Sequence, residues 1–177
     1  MDNPALRVSL PLALLLAACS STPRPQPTPV PDNLRVPEGQ LLLLRTVARG
    51  AQIYTCQAKA AEPPAFEWVL KAPEADLFDP SGAKIGRHFA GPTWESVDGS
   101  RVVGEVIQRS PVLGAIPWLL LRAKSSEGSG TLAGARYIQR LDTKGGVAPS
   151  SGCDAEHVGA EARVDYSAAY DFWGHHT

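Results

Sequence analysis

The sequence predicts an all-β domain, an antiparallel β-sandwich or β-barrel of roughly ten short strands. Three observations carry that prediction. From residue 41 onward, short runs of alternating apolar and polar residues recur, which is the period of a half-buried strand. Turn signals divide these runs, the clearest being Asp79-Pro80-Ser81-Gly82, Gly91-Pro92 and Asp98-Gly99. No long stretch carries the apolar spacing of an amphipathic helix.

Residues 41–44 are a continuous apolar run passing into Arg45-Thr46-Val47, which reads as a buried first strand. Gly50 is read as a turn into a second strand, 52–57, with Tyr54 and Cys56 on one face. Pro63-Pro64 marks a loop before a meander over 66–109, in which Phe66, Trp68, Leu70 and Ala72 share a face opposite Glu67 and Lys71. Asp98-Gly99 suits a primed hairpin turn with positive φ. The meander's last strand is expected to end at Ser110-Pro111, followed by a loop over 112–117. Trp118-Leu119-Leu120-Leu121 is apolar on both faces, as in a strand covered on both sides, and 125–130 is a polar turn. Residues 137–141 form another strand, Gly145-Gly146 open a loop to Cys153, and Asp154 is placed to cap one helical turn over 154–160. The last strand alternates most cleanly. Val164, Tyr166, Ala168, Tyr170 and Phe172 face one way and Arg163, Asp165, Ser167 and Asp171 the other.

The N-terminal region is of another kind. Arg7 precedes an apolar stretch at 8–18 that is shorter than the roughly 20 residues a membrane-spanning helix needs. It ends in Leu16-Ala17-Ala18-Cys19, which resembles the lipobox of bacterial lipoproteins. That resemblance implies removal of a signal peptide at 1–18 and lipidation of the Cys19 thiol, with palmitate-type acyl chains. An ordinary secretory signal with an incidental Cys19 is the alternative. Ser20 resembles the outer-membrane sorting pattern, leaving the periplasmic or surface face open. Prolines at 23, 25, 27, 29 and 31 then favour an extended polyproline tether, so that 19–37 is lipidated cysteine plus spacer. At about 3.1 Å per residue such a spacer reaches roughly 50 Å. The all-β domain is expected over 38–177.

A formal charge of −1 without basic or acidic runs gives no support for nucleic-acid binding. Membrane contact is therefore expected only through the lipid. With Cys19 lipidated, Cys56 and Cys153 remain, and an even pair in an exported protein suggests one disulfide rather than two buried free thiols.

Longer motifs carry a second resemblance. Gly50-Ala51-Gln52-Ile53-Tyr54-Thr55-Cys56, Trp68-Val69-Leu70-Lys71-Ala72-Pro73-Glu74-Ala75 and Gly86-Arg87-His88-Phe89-Ala90-Gly91-Pro92-Thr93-Trp94-Glu95 are similar to an exported bacterial and fungal family. Pro117-Trp118, Ile138-Gln139-Arg140, Gly145-Gly146-Val147-Ala148-Pro149 and Gly152-Cys153-Asp154 continue the likeness. The family is domain of unknown function 3455. The resemblance implies an extracytoplasmic all-β domain with Cys56 paired to Cys153, and it carries over no activity.

The densest polar constellation is His88, Trp94, Glu95 and Asp98, around the Gly91-Pro92 turn. An imidazole near a carboxylate could serve as an acid–base pair, and a tryptophan could stack on a sugar ring. The plainer reading makes His88 and Glu95 a cross-strand pair on a solvated face, with Trp94 in the core. Glu127 and Glu156-His157 are further acid–base candidates that nothing in the sequence brings together. There is no G-x-S-x-G elbow, H-E-x-x-H zinc motif or phosphate-binding glycine loop. His175 and His176 would point to opposite faces of a continuing strand. No catalytic residue, cofactor or metal is assigned on this basis. The expectation is a lipid-anchored envelope domain that binds a glycan, a small apolar molecule or an envelope protein, or plays a structural part. A hydrolase of an envelope or environmental polymer, using His88 and Glu95, is the alternative.

Overall fold

A computed structural model describes residues 29–175 of the chain. Eight antiparallel strands close into one barrel in simple chain order: β1 (Leu41–Lys59), β2 (Ala65–Phe78), β3 (Lys84–Phe89), β4 (Thr93–Ser96), β5 (Arg101–Val112), β6 (Ala115–Glu127), β7 (Ala135–Gly145) and β8 (Glu161–Gly174). β1 makes the closure. Its registers run from Val47↔Phe78 to Lys59↔Ala65 with β2, and from Leu41↔Gly174 to Thr55↔Glu161 with β8. The all-β expectation therefore holds, and the choice between sandwich and barrel falls to the barrel.

The strands are fewer and longer than expected, and four local readings change. Gly50 does not turn the chain but lies within the 19-residue β1. A Cβ there would strike the Glu74 carbonyl and Ala75 of β2, so glycine lets two strongly coiled strands approach each other. The loop read over 112–117 is a tight turn from Val112 to Ala115, with Gly114 at φ 72°. At Asp98-Gly99 only Gly99 takes positive φ, and Ser96 N–H donates to Ser100, so a three-residue loop replaces the two-residue primed turn. Asp154 caps no helix. Its carboxylate accepts from the Glu156 N–H and the His157 imidazole within an irregular turn.

Strand parity sorts the side chains. Leu121, Ile138, Phe172 and Leu44 are successive cross-strand partners and point inward. Trp94, Val102 and Leu77 complete an apolar plug at the end of the barrel where β1 begins. Gly104 makes room for it, because a Cβ would lie 2.9 Å from the Trp94 ring. The same end is tied by Asp98, whose carboxylate accepts from the backbone and hydroxyl of both Ser100 and Thr131. These four hydrogen bonds, those from Ser100 and Thr131 foremost, hold the Asp98 carboxyl well below the usual range. Asp98 is thus a structural tie between the β4–β5 and β6–β7 connections.

The predicted spacer ends earlier than expected. A 3-10 turn at Asp32–Leu34 lies on the outside of the barrel with Leu34 at 0 % exposure, so packed structure begins before residue 38. The Leu34 carbonyl accepts from Gln139 Nε2 (2.7 Å), and Gln139 Oε1 accepts from Trp173 Nε1 (2.8 Å). This strap explains why Leu120, Gln139 and Asp171, adjacent in register on the outer face, are all buried. Asp171 is paired bidentately with Arg45. The signal-peptide and Cys19 readings, the proline run up to residue 28 and His176 lie outside the described residues.

Beyond Gly145 the chain crosses the other end of the barrel, and Cys56–Cys153 pins that crossing. The two Cα atoms are 5.3 Å apart across a sequence separation of 97. Tyr54 donates to the Gly146 carbonyl (2.5 Å) and Trp68 Nε1 to the Ser151 carbonyl (2.8 Å), while Cys56 exchanges backbone bonds with Ala160 and Gly159. The bond restricts a long loop in the unfolded chain, so Cys153→Ala is expected to lower the unfolding free energy by roughly 2–5 kcal/mol. Denaturant titration measures this. A thiol assay of the denatured, unreduced chain carrying Cys19→Ser should find neither cysteine free; two titratable thiols would refute the bridge.

Candidate functional site

Eight-stranded barrels have an interior just wide enough to be filled by side chains or to hold one small ligand. This barrel is filled at one end and hollow at the other. Opposite the apolar plug, its other end opens into a cavity of about 420 Å3. β1 contributes Gln52 and Tyr54, β2 the segment 70–73, and the β3–β4 hairpin His88 and the turn 90–92. Val106, Ile116 and Leu119 form an apolar wall from β5 and β6, and Arg140 enters from β7.

His88 lies between the cavity and the plug. It pairs in register with Trp94, so both rings point inward, stacked at 4.5 Å with an interplanar angle of 10°. Tyr170 closes on both rings, at 5.1 Å from His88 and 5.3 Å from Trp94. His88 Nδ1 lies 2.8 Å from the Thr93 carbonyl. A carbonyl only accepts, so Nδ1 carries the proton and Nε2 the lone pair. Burial pushes the His88 pKa down from 6.5 to about 3; the Thr93 contact opposes this and the Arg140 charge adds to it. The ring is a neutral imidazole under ordinary conditions.

Arg140 is the charge at this end of the barrel. Its register partners Leu119 and Tyr170 face inward, and parity carries the guanidinium in with them. Nε and Nη2 donate to the Pro117 carbonyl at 3.0 and 2.8 Å, a neutral acceptor. Its positive charge acts on Tyr54, His88, Tyr166 and Tyr170 alike. Burial raises the three tyrosines against it. Buried Gln52 Nε2 and the Tyr166 and Tyr170 hydroxyls close no hydrogen bond of normal geometry among the described residues. No carboxylate lines the cavity.

The sequence-derived constellation is thereby divided. His88 and Trp94 are together in the interior, and the solvated-face reading of His88 is corrected: the β3–β4 register puts Arg87, not His88, opposite Glu95. Glu95 lies on the outer face between two guanidinium groups. Arg101 binds one oxygen (3.0 and 2.7 Å) and Arg87 the other (3.0 and 2.7 Å), which hold the Glu95 carboxyl below its ordinary range. His88 and Glu95 therefore form no acid–base pair. Asp98 sits at the far end, Glu127 beside Arg101 on the outside, and His157 on an exposed turn with Asp154. No group of three or more metal-ligating side chains converges among the described residues. Gln52, Tyr54 and Arg140 were not singled out as site residues by sequence. The signal was there: Arg140 falls in phase with Ile138 on β7, and Gln52 with Tyr54 and Cys56 on β1.

Burial of neutral His88 has a measurable consequence. The unfolded chain takes up a proton near pH 6.5, whereas the folded chain resists it down to about 3, so stability falls as pH drops through that window. From about pH 7.5 to about pH 5, before most carboxylates titrate, the loss attributable to His88 should be roughly 1–2 kcal/mol. Urea midpoints across that range measure it, and His88→Phe should flatten the slope. An unchanged slope in that variant would place the titration elsewhere.

No curated protein and no solved structure matches the chain. The profile of the family described as protein of unknown function (DUF3455) matches residues 37–174, from just after the strap to the end of β8. Its span contains the closing strands, the paired cysteines and every cavity residue named above, and by that match the chain belongs to the DUF3455 family.

Proposed function

We propose that this protein is a small-molecule-binding module of the bacterial cell envelope, held to the outer membrane by a lipid on Cys19. The observation that supports binding is the cavity itself. It lies inside a closed barrel, has the size range of small-ligand sites, and offers an apolar wall with a few inward polar groups. A binding role is favoured over hydrolysis because His88 is neutral and buried, and the carboxylate it would need is committed to two arginines on the outer face. A small ligand with an apolar body fits the volume better than a glycan chain or a protein surface.

The strap bears on how an anchor would orient the domain. Asn33 Nδ2 donates to the Arg109 carbonyl, and Arg109 stands at the cavity rim. The described chain therefore enters at the open end of the barrel. Leu113, fully exposed, projects from the β5–β6 turn at that same end. A lipid anchor preceding the strap would keep the cavity mouth within a tether's length of the membrane, where amphiphilic molecules are concentrated.

A neutral fluorescent probe, N-phenyl-naphthylamine, tests the cavity. It should brighten on binding the purified chain carrying Cys19→Ser, and Val106→Trp, which fills the mouth, should abolish the response. Brightening that survives this variant at full amplitude would remove the cavity from consideration. The anchor is tested separately: Cys19→Ser should shift the protein from the detergent phase to the aqueous phase, and unchanged partitioning would show that Cys19 carries no lipid.

A further inference from the structure

The cavity's polar groups have a shared character that narrows its ligand. Two of its lining side chains, Gln52 and Arg140, bring hydrogen-bond donors, while His88 Nε2 brings a lone pair. Gln52 is 1 % exposed and lines the cavity, yet its amide Nε2 has no acceptor. Arg140 spends Nε and Nη2 on the Pro117 carbonyl, a neutral acceptor. Tyr54, whose hydroxyl proton goes to the Gly146 carbonyl, is already satisfied as a donor. Leaving a buried donor unpaired is costly, more so when the group is charged, and a ligand acceptor relieves it.

Charge points the same way. The guanidinium acts on four buried aromatic side chains, and no acidic residue lines the space in front of it. Other cations near the mouth are committed or exposed. Lys71 reaches the rim, but its ammonium pairs with Glu161 outside, and Arg109 is exposed. One inward positive charge therefore waits in a low-dielectric mouth, which suits one negative charge. A planar guanidinium and an amide donor lining one cavity suit the two oxygens of a carboxylate. Beyond that head, Val106, Ile116, Leu119 and Ala72 offer only apolar surface.

Building on the mouth as a binding site, we infer that its ligand is a monocarboxylate with an apolar body, the carboxylate received by Arg140 and Gln52 and the body lying against Val106, Ile116 and Leu119. Arg140 supplies charge and direction, and Gln52 a second donor. His88 contributes a flat neutral wall that neither repels the ligand's body nor competes for Arg140. The Pro117 carbonyl fixes the guanidinium before the ligand arrives, so little side-chain freedom is lost on binding.

Calorimetry with naphthoate, naphthamide and naphthyl phosphate separates head from body, since all three share one apolar ring system. With the chain carrying Cys19→Ser, naphthoate should bind about tenfold tighter than naphthamide and tighter than the dianionic phosphate. Arg140→Gln should bring naphthoate to within about twofold of naphthamide while the N-phenyl-naphthylamine response persists as the sign of an intact barrel. Gln52→Leu, similar in volume and bonded to nothing through Nε2, should weaken naphthoate alone by about threefold to tenfold. Equal binding of naphthoate and naphthamide, or a naphthoate preference that survives Arg140→Gln in a probe-responsive protein, would overturn the inference while leaving the cavity as a binding site. Tighter binding of naphthyl phosphate would reassign the head group to a phosphate. Failure of every naphthyl compound and of the neutral probe would overturn the binding site with it.

Discussion

β1 is hydrogen-bonded along both edges, to β2 on one side and β8 on the other, and this double pairing turns a meander into a tube. Everything else is conditional on it. Closure pairs both edges of β1, while the short β3–β4 hairpin reaches only Ala75–Phe78 of β2 and Arg101–Val103 of β5. It also gives the molecule a true inside, where strand parity decides each side chain's neighbours. Gly50 lies where β1 and β2 approach too closely for any side chain. The disulfide then acts on a structure already closed, fixing the crossing that follows β7 against β1.

The interior is partitioned along the barrel axis rather than around it. One half is a dry plug of Trp94, Phe172, Leu121, Ile138 and Leu77. The other keeps polar side chains, Gln52, Tyr54 and Arg140, around open volume. His88 and Tyr170 are the partition between them, stacked or tilted against Trp94 below and acted on by Arg140 above. Such an arrangement reconciles two demands that usually conflict. The plug supplies the packed apolar area a small domain needs, and the mouth retains buried donors that packing alone would select against.

Local features of this architecture were legible in the sequence, and its long-range features were not. The alternation of β8 placed Tyr166, Ala168, Tyr170 and Phe172 correctly, because period-two burial is a local property. Trp118-Leu119-Leu120-Leu121 was legible as doubly covered, but not what covers it, since Leu34 belongs to a segment that reads as spacer. Gly50 misled for a physical reason: glycine serves turns and close strand approach equally well, and only the register distinguishes them. His88 and Glu95 were grouped by proximity in the chain, whereas the β3–β4 register sends them to opposite faces. Arg140 shows the opposite failing. Its phase with Ile138 was visible, but an arginine among apolar residues draws attention only when one knows that this face lies inside a barrel.

The seam between β1 and β8 also has a meaning in time. It joins Leu41 to Gly174, the first barrel strand to the last one described, so the pairings from β1–β2 to β6–β7 can form before it, and β7–β8 arises only with it. As the chain emerges from synthesis, β1 must wait with one edge bare until β8 arrives, and β7 waits beside it. Such long-range pairing is slow, and an unpaired edge invites other chains to occupy it. Maturation of this protein therefore ends on that seam: the barrel closes only after the final strand is in hand, around a cavity whose walls come from β1 to β7.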